Sequence, residues 1–231
     1  MSDLYTSGAY LQTHPTWHTE DSPWKAKQIL RGLVELDIHP KSVCEVGCGA
    51  GEILHQLCLE MPSDVHFTGF EISPQAFQMC KEREKERLTY RNEDFLLAAQ
   101  PFYDVLLVID VFEHIPDYMS FLKALRSRAT YNVFHIPLEL TVKFVLHRDA
   151  LVLGRRSQGH LHYFNRSTAL ATLEDCGYTI LKDFYTFWEG ELPNRRPKHL
   201  RRRLAMRLLK AWNQDLAVRV LGGHALLVVA T

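Results

Sequence analysis

The sequence predicts an α/β fold in which a mostly parallel sheet is covered by helices on both faces. Strand and helix patterns alternate from residue 42 to residue 137, which is the order of parallel β-α-β units with right-handed crossovers. The run Tyr103 to Val111 is largely apolar between polar flanks, as expected for a strand that is covered on both faces. The 231 residues suit one domain with a single substantial core.

The first helix is expected to begin at Ser22, because serine is a good N-cap and Pro23 fits a first helical turn. A second helix should follow the first glycine turn and stop before Pro62. A third is expected from Ser73 to about Arg87. Further helices are expected over 117–128, 167–176 and most of 201–220. Strands are expected over residues 42–47, 66–72, 88–93, 103–111, 130–136, 178–187 and 224–230.

Composition and charge set limits on the function. The formal net charge is +0, so we do not expect nucleic acid as a partner. The five cysteines are odd in number and have no Cys-x-x-Cys spacing, which indicates free thiols in a reducing, cytoplasmic compartment. The first residues have neither the basic nor the apolar region of a signal peptide. The longest apolar run is too short to cross a bilayer.

The most informative segment is the glycine turn after the first strand. Its glycines, Gly47, Gly49 and Gly51, allow a ligand to approach the backbone closely. Their spacing is Gly-x-Gly-x-Gly, whereas a dinucleotide fingerprint is Gly-x-Gly-x-x-Gly. Glu52 occupies the third dinucleotide position and would repel a pyrophosphate. A cationic nucleoside without phosphate suits this turn better.

Acidic residues follow the next two strands. Glu71 ends the second strand, where a carboxylate can accept hydrogen bonds from both ribose hydroxyls. Asp94 follows the third strand and could accept a hydrogen bond from an adenine amino group. Phe95 and Ile72 would pack near that ring. The alternatives are that Asp94 only caps a helix and that the glycines only make a tight connection.

These segments resemble the motifs of class I S-adenosylmethionine-dependent methyltransferases. Within that family, the segment 110–117 (Asp-Val-Phe-Glu-His-Ile-Pro-Asp) resembles the small-molecule group that includes the ubiquinone-biosynthesis O-methyltransferases. The resemblance implies a Rossmann-like, three-layer α/β/α fold with a seven-stranded sheet whose last strand is antiparallel. It also implies S-adenosylmethionine as cofactor and O- or N-methylation of a small-molecule acceptor.

The resemblance also assigns roles to residues by position. It places a first group of residues near the methionine part and the sulfonium: Glu45, Gly47, Gly49, Gly51, Asp110 and Val111. It places Glu71 at the ribose, and Asp94 and Phe95 at the adenine.

The acceptor end is expected just past the fourth strand. His114 is our preferred general base, with Glu113 beside it; the alternative is that both only cap the next helix. Some ubiquinone-pathway relatives use acidic and histidine residues here for a divalent cation, which Asp110, Glu113 and His114 could hold, but we expect no metal. If residues 159–164 are extended, His160 and His162 share one side. With Tyr163, they would line the acceptor pocket or else face solvent.

We expect one methyltransferase domain over residues 1–231. Its predicted parts are an N-terminal lid and helix (1–40), a cofactor-binding half (41–137), a substrate-cap insertion (138–166) and the rest of the sheet (167–231). Residues 195–210 contain eight Lys or Arg and no acidic residue. This basic helix could contact anionic lipid or RNA, or be a solvated face. The rival functions are therefore an RNA methyltransferase and a non-catalytic S-adenosylmethionine-binding module.

Overall fold

The computed structural model describes Tyr5, residues 8–187 and residues 209–231 of the chain. The predicted basic helix at residues 195–210 therefore lies outside the described residues, except for its last two positions. Within the described part, no helix combines the length and apolar character that a membrane span requires.

The described residues form one seven-stranded sheet. Its strands are β1 (Ser42–Val46), β2 (His66–Phe70), β3 (Leu88–Arg91), β4 (Tyr103–Ile109), β5 (Ala129–Pro137), β6 (Ile180–Thr186) and β7 (Ala225–Ala230). Their order in the sheet is β3-β2-β1-β4-β5-β7-β6. Strands β1 to β5 pair in parallel, whereas β7 runs antiparallel to both β5 and β6. The predicted α/β fold with an antiparallel last strand is confirmed.

The sheet is flanked or capped by α-helices, nine of which have both ends within the described ranges. They are α1 (Ala9–Thr13), α2 (Ser22–Glu35), α3 (Glu52–Glu60), α4 (Pro74–Lys81), α5 (Tyr118–Arg126), α6 (Val142–Leu146), α7 (Ala150–Gln158), α8 (Arg166–Asp175) and α9 (Gln214–Leu221). Helices α6 and α7 form the predicted insertion over residues 138–166. A short 3-10 turn, Phe112–His114, follows β4.

Two helices differ from the sequence prediction. Helix α4 ends at Lys81 instead of about Arg87, because Lys85 and Leu88 exchange backbone hydrogen bonds of 3.0 Å that turn the chain into β3. The predicted helix over 201–220 is interrupted at Asn213. The Asn213 side chain accepts a hydrogen bond from the Leu216 amide (2.9 Å) and so begins α9 as a new helix.

The core lies on both faces of the sheet, and β4 shows why. Its residues alternate: Leu106 and Val108 belong to one buried cluster, and Leu107 and Ile109 to the other. Both faces of β4 are therefore covered, as its largely apolar sequence predicts. The polar residues of the site are consequently confined to the carboxyl ends of the strands, where ligands bind in open α/β sheets.

Candidate active site

One cavity of about 520 Å³ opens at the carboxyl ends of β1, β2 and β4. It contains most of the residues that the sequence singled out, although they come from separate segments of the chain. The predicted site residues that line it are Glu45, Gly47, Gly49, Glu71, Ile72, Asp94, Phe95, Asp110, Val111, Glu113, His114 and His160. Such a volume is typical of a pocket for small molecules.

The glycine turn is tied to the end of β2. The amides of Gly47 and Cys48 both donate to the Phe70 carbonyl, at 2.8 and 3.1 Å. Gly47 has φ 70°, and a Cβ atom there would lie only 2.9 Å from Val111 Cγ2. Position 47 therefore requires glycine for its backbone conformation and for the close approach of Val111.

Gly51 lies outside the cavity lining, contrary to the cofactor contact that we assigned to it. The Tyr90 hydroxyl donates to the Gly51 carbonyl (2.6 Å), and a Cβ atom at position 51 would lie 2.6 Å from the Tyr90 ring. With φ 76°, Gly51 turns the chain into α3 and leaves room for Tyr90. Its role in this structure is packing beneath the turn.

Glu71 is buried at the end of β2 and faces the cavity. Its Oε2 accepts a hydrogen bond from the Gly49 amide (2.8 Å), and its Oε1 accepts one from the Ser73 amide (2.7 Å). Burial raises the pKa of Glu71 to about 7, against the lowering effect of these amides. Each carboxylate oxygen keeps a further lone pair, so the pair can still accept two ligand hydroxyls.

The predicted adenine residues also line the cavity. Asp94 Oδ1 accepts a hydrogen bond from the Leu96 amide (2.9 Å), which stabilises a short turn; no helix begins at Asp94, so it is not the helix cap that we considered as an alternative. Phe95 is buried and packs edge-on against Phe70, with ring centroids 5.1 Å apart. This packing fixes the position of the Phe95 ring at the cavity wall.

Asp110 forms a partly buried charge network that the motif alone does not show. It adopts φ 53°, and its carboxylate accepts from Lys25 Nζ at 2.7 Å and His135 Nδ1 at 2.6 Å. Burial alone would raise the pKa of Asp110, but His135 and Lys25 outweigh it and lower the pKa. Glu45 differs: burial raises its pKa well above the usual range, and its Oε2 has no hydrogen-bond partner within the described residues.

The predicted acceptor residues meet at one corner of the cavity. Glu113 and His114 lie in the 3-10 turn after β4, and His160 reaches them from the end of the insertion. Burial, together with Asp110, raises the pKa of Glu113 to about 8. Burial, together with His160, lowers the pKa of His114 to about 4, so His114 is a weaker base here than a free imidazole.

His162 and Tyr163 do not line the cavity among the described residues. His162 Nε2 contacts the Ile115 carbonyl at 3.0 Å, and the Tyr163 hydroxyl donates to the Leu151 carbonyl at 2.8 Å. The amides of Leu161 and His162 both donate to the Glu113 carbonyl, at 2.8 and 3.2 Å. This bifurcated contact bends the chain, so the alternation expected of an extended segment does not place both histidines in the pocket.

Aromatic residues from the N-terminal region cover the cavity. Tyr10 lies between Tyr5 and Trp17, with ring centroids 4.9 and 4.8 Å away. The Tyr5 hydroxyl donates to the Gln158 carbonyl at 2.7 Å and lies 2.9 Å from His114 Nδ1. This contact joins the N-terminal region to α7. The sequence motifs did not reveal Tyr5, whose hydrogen-bond partners are more than 100 residues away in the sequence.

Lys25 is a further site residue that the motifs did not place. The signal was available, because Lys25 lies four residues before Ile29 on the apolar stripe of α2, where a charged side chain is unusual. Glu139, which pairs with His160, left no comparable signal, because it lies in the irregular start of the insertion.

Comparison with known proteins agrees with the geometry of this cavity. A family model described as a methyltransferase domain matches residues 18–183. The chain belongs to this family. It is a class I S-adenosylmethionine-dependent methyltransferase, as the motifs indicated, and S-adenosylmethionine is its cofactor.

Individual relatives match less completely. A ubiquinone biosynthesis O-methyltransferase of Nitrosospira multiformis is 34% identical over 90 residues, which is 36% of this chain and 36% of that protein. The match thus spans about a third of the length of the curated relative. The magnesium protoporphyrin IX methyltransferase ChlM of Synechocystis PCC 6803 has a TM-score of 0.59 at 16% identity, over 90% of this chain and 82% of that chain. The N-methyltransferase NodS of Bradyrhizobium japonicum WM9 has a TM-score of 0.57 at 15% identity, over 89% and 84%. These structural matches show a shared fold.

The cavity residues fit S-adenosylmethionine. The cofactor carries a cationic sulfonium and an ammonium group, and the buried carboxylate of Glu45 and the partly buried carboxylate of Asp110 face the same cavity as the glycine turn. The Glu45 Oε2 atom, which has no hydrogen-bond partner in the described part of the chain, is an acceptor that an ammonium group would satisfy. Glu71 would then hold the ribose, and Gly47 would border the methionine part of the cofactor, as predicted from the sequence.

Proposed function

We propose that this protein transfers a methyl group from S-adenosylmethionine to an oxygen or nitrogen atom of a small-molecule acceptor. The observation that carries the proposal is the position of Glu113, His114 and His160. This group lies in the same cavity as Glu71 and the glycine turn, at the end of β4. A nucleophile bound there would lie beside the cofactor end of the cavity.

The size and cover of the cavity favour a small acceptor. About 520 Å³ must hold both the cofactor and the acceptor. Tyr5 bridges the N-terminal region to Gln158 of α7 above it. A polynucleotide or a folded protein would need a more open approach. The partial match to a ubiquinone biosynthesis O-methyltransferase and the fold shared with NodS support the same substrate class.

Catalysis by this chain would rest mainly on alignment. S-adenosylmethionine supplies an electrophilic methyl group, and the transfer breaks its carbon–sulfur bond while the acceptor loses a proton. Holding the acceptor in line with that bond can contribute roughly 7–11 kcal/mol in favourable cases. The Glu113–His114–His160 group would hold the nucleophilic atom and favour the loss of its proton. The aromatic cover of Tyr5, Tyr10 and Trp17 would exclude water.

The test is an unbiased acceptor search. Purified protein is incubated with methyl-labelled S-adenosylmethionine and a cell extract that is then separated into metabolite, RNA and protein fractions. We expect the label in the metabolite fraction, and no label with the Glu71→Gln variant, which should bind the cofactor poorly. Label that is confined to RNA would favour the nucleic-acid rival. Tight cofactor binding without transfer to any fraction would favour the non-catalytic module, and either result would overturn the proposal.

A further inference from the structure

The cavity extends past the turn after β4 to the place where β5 ends and β7 begins. Because β7 is antiparallel to β5, Ala225 at its start pairs with Pro137 at the end of β5, and His224 immediately precedes it. In the strand order β4-β5-β7, this place is two strand spacings, or about 10 Å, from the end of β4. We call it the distal part of the cavity; it is lined by Pro137, Leu138, Phe144, Gly223, His224 and Ala225.

Apolar side chains form most of the wall of the distal part. Leu138 and Ala225 belong to the sheet side and are each 2% exposed. The insertion contributes Phe144 of α6, which is partly buried although the residues on either side of it are exposed. A Cβ atom at Gly222 would lie 3.6 Å from Phe144 Cε2, so α6 packs close to the start of β7. A molecule that fills this part of the cavity therefore needs an apolar body.

His224 brings one buried polar side chain into this apolar wall, with 2% of its surface exposed. Its Nδ1 lies 2.9 Å from the Gly222 carbonyl. A carbonyl oxygen can only accept, so Nδ1 carries the hydrogen and Nε2 is left as an acceptor. Within the described part of the chain, Nε2 has no hydrogen-bond partner. Because buried polar atoms are normally hydrogen-bonded, the missing donor has to come from a molecule in the cavity.

The ring of His224 is neutral and held in one orientation. Burial, together with Lys210, lowers the pKa of His224 to about 4, so Nε2 carries no proton at neutral pH. Phe187 stacks on the ring with centroids 4.5 Å apart, and Tyr185 meets it edge-on at 6.2 Å. These aromatic contacts fix the ring plane, and the Gly222 carbonyl fixes the tautomer. The Nε2 edge of the ring is thus left for a bound molecule.

These surroundings define the chemical class of that molecule. An ionised carboxylate or phosphate would present lone pairs and leave Nε2 without a donor. A cation would lose its hydration among apolar walls and would be repelled by Lys210, whose charge already acts on the His224 ring. An uncharged hydroxyl, amide or ring N–H on an apolar body satisfies both Nε2 and the wall.

We propose that His224 Nε2 accepts a hydrogen bond from an uncharged hydroxyl or N–H group of the methyl acceptor, whose apolar body fills the distal part of the cavity. The atom to be methylated would lie near Glu113 at the end of β4, and the donor group about 10 Å from it. His224 then determines specificity, because it favours acceptors with this second donor over molecules of the same shape without it. That the bound molecule is the methyl acceptor rests on the proposed function, whereas recognition of a donor at His224 does not.

Two probes of the same shape test the site. Indole and benzofuran are both uncharged and apolar, but only indole has an N–H donor. The full chain is saturated with S-adenosylhomocysteine, so that the nucleoside pocket is occupied, and each probe is titrated while the ring ¹⁵N signals of labelled histidines are followed by NMR. The signal that is missing from the spectrum of His224→Gln belongs to His224. We expect indole to shift this signal and to bind about 2- to 12-fold more tightly than benzofuran, which is the contribution of one hydrogen bond.

Variants of the histidine give the sharper comparison. His224→Phe keeps an aromatic ring beside Phe187 but has no acceptor, so it should lose the preference for indole. His224→Gln keeps an acceptor oxygen near the position of Nε2 and should retain part of the preference. The matched control is His55→Gln, because His55 Nδ1 also lacks a partner within the described residues but His55 lies outside the cavity lining. This control should retain the full preference.

Thermal unfolding without probes shows whether each variant is folded. If His224→Phe does not fold, the preference of the wild type and its reduction in His224→Gln still decide the question. Equal binding of the two probes by the wild type, or indole binding that leaves the His224 signal unchanged, would overturn the site. The same preference in His224→Phe as in the wild type would also overturn it.

The outcomes separate this inference from the proposed function. A preference for indole that depends on His224, in a protein that methylates no metabolite, would support the donor site and overturn the proposed function. Methyl transfer to a metabolite by protein that binds indole and benzofuran equally would do the reverse. With the labelled metabolite as substrate, His224→Phe should raise KM and leave kcat nearly unchanged, because His224 lies away from the reacting atoms. A fall in kcat without a change in KM would contradict this role.

Discussion

Replacing Glu71 by glutamine tests the cofactor end of the cavity. Glu71→Gln keeps the shape of the side chain but removes its charge and replaces one acceptor oxygen by a donor. The two oxygens now accept from the Gly49 and Ser73 amides, at 2.8 and 2.7 Å. If they also accept from the two ribose hydroxyls, the substitution removes at least one hydrogen bond to a charged group. Such a bond contributes about 1.5–3 kcal/mol, so cofactor affinity should fall about 10- to 150-fold.

The assay is calorimetry with S-adenosylhomocysteine at pH 8, where a Glu71 of pKa about 7 is mostly ionised. A second ligand, the analogue that lacks both ribose hydroxyls, separates the ribose contact from a distorted glycine turn. The wild-type protein should bind the analogue much more weakly than the parent compound, and Glu71→Gln should discriminate far less. Thermal unfolding without ligand reports any loss from the turn itself. If the variant discriminates between the two ligands as strongly as the wild type does, the ribose assignment is wrong.

Three further predictions follow from the same cavity. Gly47→Ala should reduce both stability and cofactor affinity more than Gly49→Ala. Each substitution costs about 1–2 kcal/mol for the positive φ of its position, but only an alanine at position 47 adds a close contact. Thermal unfolding and calorimetry measure the two effects, and the reverse order would refute the prediction. Lys25→Met should lower the free energy of unfolding, measured in denaturant, by about 3 kcal/mol, because it removes one of the two cationic partners of Asp110. The control is Lys27→Met on the exposed side of the same helix, which should change the free energy of unfolding by less than about 0.5 kcal/mol. Burial raises the pKa of Glu71 from 4.5 to about 7, so without ligand the folded state keeps a proton that the unfolded state loses. The free energy of unfolding should therefore fall by up to about 3 kcal/mol between pH 4.5 and 7, and Glu71→Gln should lack this fall. If wild type and Glu71→Gln have the same pH dependence, the pKa of Glu71 is not raised.

The parts of the site that could be predicted from sequence are those fixed by local pattern and sheet topology. The glycine turn follows a strand directly, and Glu71 ends the next strand. Because the carboxyl ends of parallel strands meet at one edge, residues after β1, β2 and β4 had to converge there. The order of motifs therefore predicts their meeting without any knowledge of side-chain contacts. The alternation of Leu106 and Leu107 between the two buried clusters follows from the same regularity.

The remaining parts depend on contacts between segments that are distant in the chain. Lys25 and Asp110 are 85 residues apart in the sequence, and only the packing of α2 on the sheet decides their contact. Glu139 reaches His160 because the insertion folds back on itself. His162 lies outside the cavity because the Glu113 carbonyl accepts hydrogen bonds from two successive amides there, whereas its predicted place in the pocket depended on an extended segment. Local periodicity contains no information on such partners.

The charges in the cavity explain why its two ends differ. Burial raises the pKa of Glu45, Glu71 and Glu113, whereas the pKa of Asp110 is lowered because Lys25 and His135 contact it. Three buried carboxyl groups thus lack the cationic contacts that stabilise Asp110. Glu45 and Glu71 adjoin the glycine turn, where a cationic nucleoside supplies the missing charge and hydrogen-bond donors. Glu113 lies at the acceptor end, where neither of its carboxylate oxygens has a hydrogen-bond partner within the described residues. The two ends of the cavity therefore differ in what a bound molecule must supply: positive charge at the glycine turn, and a partner for the Glu113 carboxyl group at the acceptor end.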